Sequence, residues 1–336
     1  MFRGAPASTR RAGRRTASAA VAGLAVLALA ACAPATADAP EASDAGPLTI
    51  DNCGFEASFD AAPERVLAIK STSIEMLLAL GLEDRIVGTA FSDGPAAEEW
   101  ADAAAKLPVV SDKVPGQEAT LELEPDLVYA GWESNLSAEG AGERADLADL
   151  GIASYVSPAA CQEEGYQPDP FTWEHLWDEI GEVGSIFDAD DAADGLVERL
   201  QGELDAIRPD DRGLSALWFS SGTDSAFVGA GIGAPQLIMD SAGLENVAAD
   251  EHDTWTGYSW EAVADANPDV IILIDSAWGT TERKIGQLES NPATAALPAV
   301  QEGRYLVLPF PTGEAGVRNV EAVASLVDQL GELDLG

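Results

Sequence analysis

Lys70, Lys113, Arg283 and Arg318 are the side chains of this sequence with the most chemistry to offer, because bases are scarce: 18 lysines and arginines stand against 58 acids. Lys70 and Lys113 each follow a strand-like run, Arg283 and Lys284 come shortly after Trp278, and Arg318 lies just beyond Pro309-Phe310-Pro311. In α/β lobes ligands bind beyond the carboxyl ends of the strands, which is where these bases fall. Lys70, followed by Ser71 and Thr72 at a helix start, is a candidate anion seat. Each base has a plainer reading as a solvated charge on an acidic surface; together they point to a negatively charged ligand group. Aromatic side chains occupy the same loops: Trp132, Tyr166, Trp255, Trp278 and Phe310. A tryptophan in a loop right after a strand, beside Gly or Ser, is a stacking platform for a flat ligand rather than a core residue. Glu133 and Asn135 add polar groups to the Trp132 loop, whereas Trp218 and Trp260 read as core.

Other chemistries find little support. The two histidines, His175 and His252, have neither His-x-His nor His-x-x-x-His spacing and read as structural, so no metal site is expected. Asp188, Asp190 and Asp191 lack the spacing of a calcium loop and read as a solvated helix start. No serine stands in a Gly-x-Ser-x-Gly elbow. Gly229-Ala-Gly-Ile-Gly-Ala begins like a dinucleotide fingerprint but lacks a long strand before it. It reads as a tight turn that sets the N-terminus of a helix at Ala234 near a cleft. An extracytoplasmic hydrolase using cleft carboxylates such as Glu133 has no nucleophile to offer, so the chain is read as non-catalytic and without a cofactor of its own.

The formal net charge of -40 repels nucleic acid and anionic membrane surfaces. Residues 1–31 carry five arginines, no acids, and a short small-apolar run from Ser18 to Ala31, the layout of an export signal. The run ends Leu29-Ala30-Ala31-Cys32, which resembles the lipobox of bacterial lipoproteins. That resemblance implies a lipid on Cys32, anchorage at the outer face of the cell membrane, and a flexible tether through residue 47. Outside the cytoplasm the remaining pair, Cys53 and Cys161, is expected to form a disulfide within the first lobe.

These groups must be carried by two lobes. Residues 48–187 and 211–336 each alternate strand-like and helix-like runs, and 188–210 between them reads as one long helix. In that stretch Ala192, Leu196, Val197, Leu200, Leu204 and Ile207 recur at the helical period. Glu118-Ala-Thr-Leu-Glu-Leu-Glu-Pro-Asp-Leu-Val and Glu261-Ala-Val-Ala-Asp-Ala-Asn-Pro-Asp-Val-Ile repeat one phrase at a displacement of 143 residues. The fold class is α/β: two sandwich lobes with mostly parallel sheets joined by one long helix. Within it, Ser71 to Ser73 offer N-caps for a helix, Trp255 to Tyr258 read as a loop, and Asn291 to Ala295 as a short helix.

The lipobox, the two lobes, the single connecting helix and the phrases SIEMLLALGLEDRIVG, LEPDLVYA, NPDVIILI and NPATAALPAVQEGRYLVLP resemble the substrate-binding lipoproteins of ABC importers. The resemblance is to the rigid-backbone class (class III) that carries siderophores, haem and cobalamin. It implies a monomer that captures a small molecule between its lobes and docks on a permease dimer through one surface glutamate per lobe, here Glu118 and Glu261. KSTSIEMLLALGL, VSDKVPGQEATLELEPDLVYAGWESNL and CQEEGYQPDP resemble a narrower actinobacterial group whose proposed ligand is the precursor of the deazaflavin coenzyme. Its ring suits Trp and Tyr, its ribityl chain Ser, Thr and Asn, and its phospholactyl group Lys and Arg. A ferric siderophore of the catecholate kind, also aromatic and anionic, is the alternative ligand; histidine and tyrosine are too few to imply haem, and nothing selects a corrin.

Overall fold

A computed structural model describes residues 47–276 and 278–333. Cys32, the export signal and nearly all of the tether lie outside the described residues. The chain opens with an antiparallel hairpin of β1 (Leu48–Asn52) and β2 (Phe55–Phe59). A wholly parallel sheet follows: β3 (Val66–Ile69), β4 (Ile86–Ala90), β5 (Val109–Ser111), β6 (Leu127–Ala130) and β7 (Ala153–Val156), in the order β5-β4-β3-β6-β7. Cys53, in the hairpin turn, is joined to Cys161 by a disulfide across 108 residues, tying the hairpin to the loop after β7.

The second sheet contains β8 (Leu214–Ser221), β9 (Ala226–Gly229), β10 (Leu244–Asn246), β11 (Trp255–Tyr258), β12 (Val270–Asp275) and β13 (Tyr305–Pro309). Its order is β11-β9-β8-β12-β13. The first half of β8 takes β10 as a parallel neighbour, and its second half takes β9 as an antiparallel one. The segment from Trp255 to Tyr258 is therefore a strand, antiparallel to β9, and not a loop. Alternation over four residues was hidden there because both faces carry aromatic or hydroxyl groups. The segment 291–295 forms turns, and the short helix comes at Pro298–Gln301, where proline supplies the first helical position.

The repeated phrase has a structural counterpart. Each copy supplies a helix, Gln117–Glu122 or Trp260–Ala266, and the strand after it, β6 or β12. Triplets β3-β6-β7 and β8-β12-β13 are the same parallel arrangement built twice.

Between the sheets run two helices, Trp173–Ile186 and Asp190–Ala206. The second is the connecting helix, shorter than its sequence pattern, with Ala193, Leu196 and Leu200 as its buried stripe. Ala192 is exposed, and the residue that packs is its neighbour. Gly184 lets the two helices close: a Cβ there would stand 2.5 Å from that of Ala193. Val66, Ala68, Leu127, Tyr129 and Tyr155 of the first sheet face this helical layer, as do Ala216, Trp218, Ile272 and Ile274 of the second. One core thus runs through both lobes. Alternate strand residues fill separate outer cores, with Leu67, Ile69 and Val128 on one side and Leu217, Phe219, Ile271 and Leu273 on the other, as strands covered on both faces require.

The shared core encloses a carboxyl group. Burial pushes Glu179 up to about 7, against the hydroxyl of Tyr129, which donates to its Oε1 at 3.2 Å. The folded chain therefore keeps a proton on Glu179 that the unfolded chain releases near 4.5. That contribution to stability is complete below pH 4.5 and is lost as pH rises through 7. Glu179→Gln is expected to match the parent at pH 4.5 and to exceed it by on the order of 3 kcal/mol at pH 8. Urea unfolding at the two pH values checks this, and a pH-independent difference would contradict it.

Candidate functional site

Strands β3, β4 and β6 end together, and the residues just beyond them build one wall of a cleft. Lys70 follows β3 with φ +84° and Phe91 follows β4 with φ +52°, both in a region that non-glycine residues avoid. Gly131 follows β6, and a Cβ there would meet Thr72 Oγ1 at 2.5 Å and Lys70 Cβ at 2.7 Å. Its lack of a side chain allows the Trp132 loop to come down over Lys70. The opposite wall comes from the ends of β8, β12 and β13, carrying Ser220, Ser221, Trp278 and Phe310, and from Phe227 on β9 and Trp255 on β11.

Lys70 is fully buried and ion-paired with Asp93. Its ammonium lies 3.4 Å from the centre of the Trp132 ring, 4.5 Å from Phe91 and 5.1 Å from Phe310. Burial pushes the lysine down and Asp93 up, and their mutual attraction opposes both shifts. Ser71 Oγ accepts from the Asp93 backbone N–H at 2.9 Å. The helix Ser71–Ala79 has no side-chain N-cap: Ser73 Oγ donates back to Ile69 and Lys70 carbonyls instead. Lys70 is thus no open anion seat. It is the buried post on which both walls lean.

Trp132 Nε1 donates across the cleft to Glu314 Oε2 at 2.6 Å. Glu314 is half-buried; burial raises its carboxyl, and the Lys70 charge opposes the rise. Two cavities meet along Trp132, Trp255 and Glu314. The larger, about 560 Å³, is walled by Phe91, Phe227, Trp278 and Phe310 besides those three, with Ser220 and Ser221. The smaller, about 270 Å³, runs past Thr72, Ser134, Gln162, Gln167 and the helix start at Gly233-Ala234. The glycine string does therefore bring a helix N-terminus to the cleft. Trp255 stacks on Phe227 with ring centres 6.2 Å apart, and Trp278, 44% exposed, meets Phe310 edge-on at 4.9 Å.

Of the residues singled out by sequence, Thr72, Trp132, Trp255, Trp278 and Phe310 line these cavities. Lys113 and Arg283 are exposed and line neither. Next to Arg283, Lys284 is the buried one, donating to the Ile274 and Gly279 carbonyls. Arg318 clasps the lobes together instead of facing a ligand: it is buried against Glu75 at 3.2 Å and Glu321 at 2.7 Å. Asn135 is buried and accepts from the Trp132 N–H, while Glu133 accepts from the Gln162 N–H. Tyr166 leans on Gly54 and donates to Asp51 at 2.8 Å, beside the disulfide, and lines neither of the two cavities. Asp93, Phe91, Phe227 and Glu314 had no signal in the sequence: two of them are acids among 58. Glu118 and Glu261 are exposed in the first turns of the two equivalent helices.

Removing the Lys70 charge leaves the buried Asp93 without its cationic partner, with only the long Ser71 N–H bond remaining among the described residues. Lys70→Met is expected to cost about 3 kcal/mol in urea unfolding, and adding Asp93→Asn to recover most of it. An unchanged double mutant would mean that the pair is not what holds this wall.

Residues 66–312 match the model of the family described as periplasmic binding protein. An ABC transporter substrate-binding lipoprotein of Bacillus subtilis (strain 168) is 26% identical over 301 residues, 87% of this chain and 88% of the relative. A vitamin B12-binding protein of Yersinia pestis is 26% identical over 218 residues, 63% of this chain and 70% of the relative. Among solved structures, a protein of an ABC-type Fe3+-hydroxamate transport system from Saccharomonospora viridis superposes with a TM-score of 0.74 at 25% identity, covering 85% of this chain and 99% of that one. The haem-binding protein HutB of Vibrio cholerae shares the fold with a TM-score of 0.62 at 21% identity, covering 79% and 98%. The chain belongs to the periplasmic binding protein family and is an extracytoplasmic solute-binding component of an ABC importer.

Proposed function

We propose that the solute is a ferric siderophore of the hydroxamate type, held between the lobes and handed to a permease. The observation that carries this reading is the composition of the cleft wall. Among the described residues, six aromatic rings and one carboxylate line the larger cavity, and no lysine, arginine or histidine lines either cavity. Three hydroxamates neutralise a ferric ion, so the chelate presents an uncharged, partly apolar surface that aromatic walls suit. A tricatecholate would keep three negative charges, and a chain this acidic repels them. The same scarcity of bases in the wall counts against the deazaflavin precursor, whose phospholactyl group needs cationic partners. Haem finds no ligand among the described residues there: none of those lining either cavity is His, Tyr, Met or Cys. The structural relative from Saccharomonospora viridis bears the matching description.

In this reading Cys32 carries the lipid, residues 33–47 form the tether, and Glu118 and Glu261 dock on the permease. Their equivalent places on the two repeated helices are what a two-fold permease dimer would read.

Tryptophan fluorescence of the chain from residue 33 onward, titrated with a ferric trishydroxamate, a ferric tricatecholate and the deazaflavin precursor, tests the ligand. Tight binding of the trishydroxamate alone is expected, and Trp255→Ala or Trp278→Ala should weaken it at least tenfold. Preference for either anionic ligand would overturn the assignment. Charge reversal at Glu118 and Glu261 together is expected to abolish uptake by cells while leaving solution affinity intact, and undiminished uptake would return both to ordinary surface acids.

A further inference from the structure

The charges at the cleft do not balance. Asp93 and Glu314 are two carboxylates, and among the described residues the Lys70 ammonium is the one base beside them. Asp93 takes the ion pair, with further bonds to Ser71. Among the described residues the Glu314 carboxylate takes only the indole N–H of Trp132, and it lines both cavities. The aromatic rings divide in the same way. Trp132, Phe91 and Phe310 already surround the Lys70 ammonium. Among the described residues no cation lies over the rings of Trp255, Phe227 and Trp278, and these rings line the same cavity as the Glu314 carboxylate. Aromatic faces with a carboxylate beside them form a cation site.

We propose that the cleft has a cation subsite, built from Glu314, Trp255 and Trp278, that selects a ligand bearing a pendant ammonium. The inference deepens the siderophore reading and rests on it for the rest of the ligand: the chelate fills the cavity and its ammonium reaches Glu314. Burying that ammonium beside Glu314 completes the charge balance that Lys70 leaves unfinished, whereas an uncharged tail would leave the carboxylate desolvated and unpaired.

Two probes separate this from the reading it rests on. The first is a pair, ferrioxamine B with its free terminal amine and the same complex N-acetylated, each titrated against the parent chain and Glu314→Gln. Glutamine keeps an acceptor for Trp132 Nε1 and removes only the charge. The parent is expected to prefer the amine form about tenfold, and the preference to fall to about one in Glu314→Gln. Equal binding of both forms by the parent overturns the subsite. The second probe, benzyltrimethylammonium alone, reads the subsite without a chelate. Its quenching of tryptophan fluorescence should need at least fivefold more ligand in Glu314→Gln than in the parent. If neither chelate binds but this difference is found, the subsite stands and the siderophore reading falls; if the difference is absent, the subsite falls.

Discussion

Lys70 places a positive charge where the ends of three parallel strands converge and water is excluded, and the rest of the cleft is arranged to tolerate it. Leaving water costs an ammonium several kcal/mol, so it needs Asp93 from the loop after β4, and the faces of Trp132, Phe91 and Phe310. Meeting those partners fixes the backbone at Lys70 and Phe91 in positive φ, conformations costing on the order of 1–3 kcal/mol each that persist only where surrounding contacts over-determine them. One ammonium thereby draws residues of both lobes into a single arrangement.

That arrangement is reinforced at the lobe junction. The Phe171 N–H donates to the Ile232 carbonyl at 2.8 Å, Trp173 Nε1 to Ser241 Oγ at 3.0 Å, and Arg318 reaches Glu75 and the Pro95 carbonyl in the other lobe. With one core running through the helical layer between the sheets, wide hinge opening would have to break buried polar pairs as well as apolar packing. In the proposed reading the solute enters a largely pre-formed cleft with small adjustments of its rim. The exposed Trp278 is the ring best placed to move.

Much of this was legible in the sequence because it depends on local patterns. Continuous apolar runs such as Val270 to Ile274 identify strands covered on both faces, the 143-residue repeat identifies two equivalent lobes, and aromatics placed after strands identify the cleft. The bases misled, for a physical reason: scarcity marks a residue as important without saying whether ligand or chain receives its charge. Lys70, Arg318 and Lys284 are all consumed by the chain's own carboxylates and carbonyls. Their partners Asp93, Glu75 and Glu321 are distant in sequence or lost among many acids, and Glu314 meets Trp132 only across 182 residues. The long-range pairs, Arg318 with Glu75 and Trp132 with Glu314, are properties of the folded chain that no window of sequence contains.

The central claim, that a ferric chelate sits between aromatic walls at the lobe junction, is tested most directly by locating the iron. Crystals of the chain from residue 33 onward, grown with a ferric trishydroxamate, should give one anomalous peak at the iron absorption edge, inside the cavity bounded by Trp132, Trp255, Trp278 and Phe310. A peak at the protein surface, or an iron-free cleft in crystals containing the chelate, would contradict the account.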